Sequence, residues 1–136
     1  GPAELIERAW RARRRLGGAM RQAGLLAAAG LYALEHHRAR LPEDHARARL
    51  FARLAAEIPG VRVVPPETNI VLLDLPAGWD AATVLPRLAR HGVLLSEFGP
   101  RRLRAVTHLD VDDDGVRRAA AALREVLTGA PPAGTP

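Results

Sequence analysis

The residues Thr68-Asn-Ile-Val-Leu-Leu-Asp-Leu75 form a short run dominated by large apolar side chains. A run of this length, bounded by turn-forming residues, predicts a β-strand. The residues Val61 to Val64 predict another strand just before it, and Pro65-Pro66 separates the two. The second half of the chain is therefore expected to contain a small sheet.

The chain after these strands predicts a helix and then a β-hairpin. Asp80 is suited to cap the helix, and His91-Gly92 is suited to end it. Pro86 lacks a backbone N–H and removes one helical hydrogen bond, so we expect an irregular start to this helix. The hairpin strands are predicted over residues 93–96 and 102–107.

A last helix follows three consecutive aspartates, Asp112 to Asp114. Negative charge is favourable at a helix N-terminus, so these residues mark its start. The predicted apolar face of this helix comprises Val116, Ala120, Leu123 and Leu127. Residues 129–136 are rich in proline, glycine and alanine, and we expect a disordered tail there.

Three helices are predicted before the first strand. The first ends at Gly17-Gly18, and the second runs from about Met20 to Leu41. The first half of the second helix consists of small and apolar residues on all sides, so we expect it to be buried between other elements or at a subunit contact. Pro42 begins the third helix and Pro59-Gly60 ends it. Its apolar face is predicted to comprise Ala46, Leu50, Leu54 and Ile58.

These elements predict an α+β fold, in which N-terminal helices precede a small β-β-α-β-β-α sandwich. A mainly antiparallel sheet would bury one face under helices. A chain of 136 residues is long enough to form a hydrophobic core without disulfides or metals.

The composition excludes several kinds of chemistry. All twenty cationic residues are arginines, and the chain contains neither lysine nor cysteine. It therefore cannot form a Schiff base through a lysine side chain, use a thiolate nucleophile or bind zinc through cysteine. No signal-peptide pattern is present, and the longest apolar run, Ala23 to Leu34, is too short to span a membrane. We therefore expect a cytoplasmic protein with no membrane partner.

The formal net charge of +5 raises the alternative of a nucleic-acid binder. The five aromatic residues are not interleaved with the arginines, so the sequence offers no stacking platform for single strands. We expect no binding to DNA beyond a non-specific level.

The histidines do not form a metal-binding pattern. His36 and His37 are adjacent, so on a helix they point about 100° apart and cannot bind one ion together. Glu43-Asp44-His45 is better explained as the start of a helix than as a set of metal ligands. No catalytic or phosphate-binding signature is present either, so we expect no metal site and no catalytic residue in this chain.

Two segments resemble one enzyme family. The run Leu16-Gly-Gly-Ala-Met-Arg-Gln-Ala-Gly-Leu-Leu-Ala-Ala-Ala-Gly-Leu-Tyr-Ala-Leu34 resembles the GGGMRQ-[AS]-G segment of low-specificity L-threonine aldolases. The run Arg104-Ala-Val-Thr-His-Leu-Asp-Val111 resembles their R-x-V-T-H-L-D-V signature. Residues 43–45 and 67–71 also match in order and spacing, so the resemblance covers residues 4–127.

This resemblance implies a pyridoxal-phosphate enzyme of the aspartate-aminotransferase-like fold, a fold type I enzyme. Such an enzyme cleaves β-hydroxy-α-amino acids such as threonine or allo-threonine to glycine and an aldehyde. The lysine that holds the cofactor lies upstream of the matching segment in this family, so no cofactor is expected to be covalently bound here. The implied partners are a small amino-acid substrate, a missing N-terminal large domain and a second copy in a homo-oligomer.

The resemblance also divides the chain and assigns roles to three arginines. Residues 1–41 would be the end of the large domain with connecting helices, and residues 42–128 the small C-terminal domain. Arg104 matches the arginine that holds the substrate α-carboxylate. Arg21 matches a position near the active-site mouth and subunit interface, and Arg14 stands where the family commonly has a lysine close to the substrate.

Each assignment has a structural alternative. Arg104 and Arg21 could be ordinary arginines at a strand surface and at a helix start. Thr107 and His108 are interpreted as structural, with side chains that satisfy nearby backbone groups. For the whole chain, the alternative is a non-catalytic interaction or dimerisation domain derived from the aldolase.

Overall fold

The computed structural model describes residues 1–129, and its helices and strands follow the predicted order. It divides into two compact units, residues 1–39 and the chain from residue 40 onwards. The elements are α1 (Ala3–Arg15), α2 (Gly24–His36), a short 3₁₀ helix (Arg38–Arg40), α3 (Leu41–Ala56), β1 (Arg62–Val64), β2 (Ile70–Asp74), α4 (Ala81–Arg90), β3 (Ser96–Gly99), β4 (Arg102–Val106) and α5 (Asp113–Thr128). Only Gly129 of the predicted tail, 129–136, lies within the described residues.

The four strands form one antiparallel sheet in the order β1-β2-β4-β3. Successive side chains of a strand point to opposite faces, so each face receives alternate residues. Val71, Leu73, Leu103 and Ala105 are buried and form the core face. The opposite side, which we call the open face, carries exposed or half-buried residues from all four strands: Arg62, Val64, Ile70, Leu72, Asp74, Ser96, Arg102, Arg104 and Val106.

Helices α3, α4 and α5 supply most of the rest of the core. The predicted buried face of α5 is confirmed, since Val116, Ala120, Leu123 and Leu127 are all buried. The α+β class with a helix-covered antiparallel sheet is therefore confirmed. The asymmetry of the sheet also determines where polar chemistry can occur, because its second face has no helix of the core against it.

The predicted face of α3 is confirmed only in part. Ala46 is exposed, and Leu50 and Leu54 are only partly buried. The buried residues of α3 are Asp44, Ala48, Phe51, Ala52 and Ala55, and Ile58 is buried just beyond its end. The small alanines allow the α3 backbone to approach its neighbours closely. This close packing, and not the size of the leucine side chains, sets which face of α3 is buried.

The start of α4 is regular, so the predicted irregularity was wrong. Asp80 caps the helix through Oδ1, which accepts a 2.7 Å hydrogen bond from the Thr83 N–H. The helix continues through Pro86. The carbonyl that would have bonded to residue 86 belongs to exposed Ala82, where water can satisfy it. The last helix is capped in the same way, since Asp112 Oδ1 accepts from the Gly115 N–H at 2.6 Å.

The limits of α2 and of the hairpin also differ from the prediction. The helix begins at Gly24 rather than near Met20, because residues 21–23 form a turn in which Gln22 has a positive φ of 51°. It ends at His36, ahead of the 3₁₀ helix. Strand β3 begins at Ser96 rather than Val93.

Helices α1 and α2 contain no buried residue, so the predicted burial of α2 does not occur within the described chain. Their exposed large apolar residues are Leu5, Ile6, Trp10, Leu25, Leu26, Leu31, Tyr32 and Leu34, each more than two-fifths exposed. We call these residues the apolar surface of the first unit. Exposed apolar surface of this kind is available for contact with another surface.

Candidate functional site

Arg104 lies on the open face, in the middle of the sheet. Strand β4 holds it between Leu72 of β2 and Ser96 of β3, its register partners on the two neighbouring strands. The residue is half-buried. Its Nε is fully buried and has no hydrogen-bond partner among residues 1–129.

A buried guanidinium N–H without a partner is unfavourable and requires an explanation. The backbone of Arg104 is held from both sides by the sheet, so its side chain projects from a rigid support. A guanidinium presents N–H donors in a planar fork that matches a carboxylate with two parallel hydrogen bonds. The residue therefore has the chemistry of an anion-binding group that still has bonding capacity.

The C-terminal end of β4 is fixed by hydrogen bonds that do not involve Arg104. The Thr107 hydroxyl donates to the Asp44 carbonyl at 2.7 Å, and the Thr107 N–H donates to the Asn69 carbonyl at 3.0 Å. Asn69 Nδ2 donates in turn to the Thr107 carbonyl at 2.8 Å. His108 Nδ1 accepts from the Asp110 N–H at 3.3 Å. Both side chains thus satisfy backbone groups, as the sequence predicted.

Asp44 is a buried polar residue whose position the sequence did not reveal. It lies in the first turn of α3, which agrees with the interpretation of residues 43–45 as a helix start, yet its side chain is only 12% exposed. Its Oδ1 is 3.7 Å from Arg47 Nη1, and Arg47 Nε donates to Asp113 Oδ1 at 3.1 Å. These charges tie the start of α3 to the start of α5.

A second charged group on the open face, the Asp74 cluster, consists of Asp74, Arg62 and Arg102. Arg102 donates from Nε to Asp74 Oδ1 at 2.6 Å and from Nη2 to Oδ2 at 3.0 Å. Arg62 donates to Oδ2 from Nη2 at 2.8 Å and from Nε at 3.1 Å. These bonds, Arg102 first, lower the pKa of Asp74 to about 2, so the carboxylate stays ionised at neutral pH.

The sequence contained no separate signal for the Asp74 cluster. The three residues become neighbours only through strand register, which pairs Asp74 with Arg62 on one side and with Arg102 on the other. Knowing the strands but not their pairing would leave each as an ordinary surface charge.

Arg14 and Arg21 lie in the first unit, whereas Arg104 lies in the second. Arg14 is exposed in the last turn of α1, beside Glu7, Trp10 and Arg11 at a shallow hollow. Arg21 is exposed in the turn that precedes α2, which agrees with its predicted place in the Met-Arg-Gln turn at a helix N-terminus. Neither side chain makes an ion pair within the described residues.

Residues 1–129 contain no group of three or more histidines and acidic residues placed to bind a metal ion. None of the helices described for these residues has both the length and the apolar character needed to cross a bilayer.

Comparison with known proteins identifies related sequences. The model of the Beta-eliminating lyase family matches residues 1–77. The chain is 39% identical over 127 residues to the low specificity L-threonine aldolase of Escherichia coli. The aligned region covers 93% of this chain and 37% of that protein. It is 33% identical over 131 residues to low-specificity L-threonine aldolase 1 of Arabidopsis thaliana, with the same coverage. The chain thus spans little more than a third of the length of these relatives.

Solved structures share the fold. The multiple substrate aminotransferase of Thermococcus profundus matches with a TM-score of 0.56 and 21% identity, over 72% of this chain and 27% of that one. The α-aminoadipate aminotransferase of Thermus thermophilus, solved with N-(5'-phosphopyridoxyl)-L-leucine, matches with a TM-score of 0.52 and 25% identity, over 76% and 30%. The expected fold class, that of the C-terminal part of fold type I enzymes, is confirmed.

Proposed function

Because the chain belongs to the beta-eliminating lyase family, we propose that it forms the C-terminal part of a pyridoxal-phosphate-dependent threonine aldolase. The whole enzyme would cleave β-hydroxy-α-amino acids such as threonine or allo-threonine to glycine and an aldehyde. Residues 1–41 would complete a large domain and residues 42–128 would form the small domain. The similarity to two threonine aldolases over 93% of the chain supports this assignment.

The role proposed for this chain is to bind the substrate α-carboxylate through Arg104. The observation that carries it is the buried, unpartnered Nε of Arg104 on the open face of the sheet. A guanidinium that has hydrogen-bonding capacity left can bind a carboxylate with two parallel hydrogen bonds. Arg104 also stands in the motif that matches the aldolase signature.

A two-point grip on the carboxylate would restrict how the amino acid turns in its site. Orientation of this kind contributes to catalysis by reducing the number of unproductive poses, without any change in the chemistry of the reacting bond. The sheet supports that function, since β4 is paired on both sides and its end is tied to α3 through Thr107. Arg104 would be a substrate-binding residue, and proton transfer would be left to other parts of the enzyme.

The residues of this chain do not fit a covalent site for pyridoxal phosphate. The chain has no lysine, so no side chain can form the imine by which the cofactor is held. The proposal therefore assigns the cofactor lysine to a part of the enzyme outside these 136 residues, and no catalytic step is assigned to this chain.

Incubation of the purified chain with pyridoxal phosphate, followed by borohydride reduction and intact-mass measurement, tests this assignment. We expect no adduct on any side chain, and at most labelling of the N-terminal amine. The longer enzyme, treated in the same way, is expected to gain one cofactor on a lysine that peptide mapping places upstream of the sequence matching Gly1. An adduct mapped inside the 136 residues would contradict the proposal.

A second candidate function, an interaction or dimerisation domain, is favoured by the apolar surface of the first unit. Its residues are exposed on two successive helices, and the most exposed of them, Leu25, is 80% exposed. Apolar surface of this extent is typical of a contact site. We propose that a second copy of the chain covers it when the large domain is absent.

Sedimentation velocity over a range of concentrations measures this association. We expect the wild-type chain to sediment as a dimer or larger, and the double variant Trp10→Glu/Leu31→Glu to shift towards the monomer, because charge opposes burial of the contact. Leu94→Glu, at a residue 84% exposed in the second unit, is the control and is expected to behave as wild type. A wild-type chain that remains monomeric at all concentrations would refute self-association.

A further inference from the structure

Three arginines meet at one end of the open face, around two consecutive residues. Arg62 and Arg102 both donate to the carboxylate of Asp74. Arg101, in the turn between β3 and β4, donates from Nη2 to the carbonyl of the next residue, Leu75, at 2.8 Å. The three guanidinium groups are thus held close together by bonds to Asp74 and Leu75.

These residues line a cavity of about 560 Å³, together with Phe98 and the backbone of Gly99. The volume falls within the usual range for small-molecule sites. Three arginines face one aspartate there, which leaves two positive charges in excess. Phe98, which is 56% exposed, supplies an apolar wall.

The arginines of this cavity retain hydrogen-bonding capacity. A guanidinium carries five N–H groups. Arg62 and Arg102 each use two nitrogens on Asp74, and Arg101 uses one on Leu75. The Asp74 carboxylate remains ionised and positions two of the cations, so their charges are arranged before any ligand arrives.

We propose that this cavity is a binding site for a tetrahedral phosphate anion, separate from Arg104, which does not line it. Several guanidinium groups that line one cavity are suited to a phosphate, whose oxygens accept many charge-assisted hydrogen bonds. The anion could be inorganic phosphate or the phosphate group of a small metabolite whose apolar part lies against Phe98. This inference does not depend on the proposed aldolase function.

Titration calorimetry of the chain with inorganic phosphate, and separately with phenyl phosphate, tests the proposal. We expect both to bind at millimolar or lower concentration, and binding to weaken as sodium chloride is raised. If the natural ligand is a phosphorylated metabolite, phenyl phosphate is expected to bind more tightly than inorganic phosphate. Phe98→Ala is then expected to remove this difference in affinity. Equal binding of the two would show that only the phosphate group is recognised, as expected of a site for inorganic phosphate.

Two variants test the assignment of the arginines. Arg62→Ala and Arg101→Ala are each expected to weaken phosphate binding about tenfold or more, because each removes a charge-assisted contact. Arg62 is 81% exposed in its side chain, so its removal should not prevent folding, which circular dichroism can check. Arg90→Ala, at an exposed residue at the end of α4, is the matched control for loss of charge.

The proposal is overturned by any of three results. The first is the absence of phosphate binding at about 10 mM, a concentration at which even a weak anion site would be occupied. The second is unchanged binding in both cavity variants. The third is an equal loss of binding in Arg90→Ala. The last result would show that only the net charge of the chain attracts the anion.

Discussion

Replacing Arg104 by alanine in the longer enzyme is expected to lower kcat/KM for threonine by about 10²- to 10³-fold. The change removes the group proposed to bind the α-carboxylate and leaves that charge without a partner in a partly dry site. KM is expected to rise, and kcat to fall as the substrate loses its orientation. Steady-state kinetics with threonine and allo-threonine measure both.

Three controls make this result specific to carboxylate binding. Cofactor content, measured by absorbance, is expected to be unchanged, because the cofactor lysine is assigned to another part of the enzyme. Arg104→Lys keeps the charge but loses the planar fork, so it should recover only part of the activity. Arg90→Ala is expected to retain normal kinetics. Normal kinetics in Arg104→Ala would remove Arg104 from the site and favour an ordinary strand arginine.

Replacing Leu103 by alanine is expected to reduce the free energy of unfolding by about 3 kcal/mol. Leu103 is fully buried on β4, directly opposite Leu73 of β2, and both belong to the core that α3, α4 and α5 cover. Truncation leaves a cavity at the centre of the sheet, where neighbouring strands prevent collapse around it. Urea unfolding followed by circular dichroism measures the loss.

Leu94→Ala is the matched control, because it is the same substitution at a residue that is 84% exposed and lies outside the core. It is expected to alter stability by less than about 0.5 kcal/mol. Equal effects of the two changes would contradict the assignment of Leu103 to the core.

The order of elements could be predicted from the sequence because local signals indicate each helix and strand, although the limits of α2 and the start of β3 differ from the prediction. The apolar face of α5 is a regular helical repeat, and Asp80 and Asp112 cap their helices through local hydrogen bonds. The buried face of α3 could not be predicted in the same way, since small alanines and large leucines compete for it. Only packing against the sheet and α5 decides between them.

The candidate site was likewise predictable from the sequence only in part. Arg104 could be identified from its motif. That its Nε is buried and has no hydrogen-bond partner among residues 1–129 is known only from the tertiary structure. The Asp74 cluster and the cavity beside it depend on residues as far apart in the chain as Arg62 and Arg102, which strand register brings together. No local pattern contains that information.

The sequence by itself determined the α+β class, the family resemblance and the absence of any lysine that could hold a cofactor, because composition, motifs and helical periodicity are properties of the chain alone. The tertiary structure decided which residues share a face. It placed Arg104 on the open face, buried Asp44 at the start of α3 and brought three arginines around one cavity. The physical reason is that strand pairing and side-chain packing are long-range interactions, and they set the surroundings in which each charge acts.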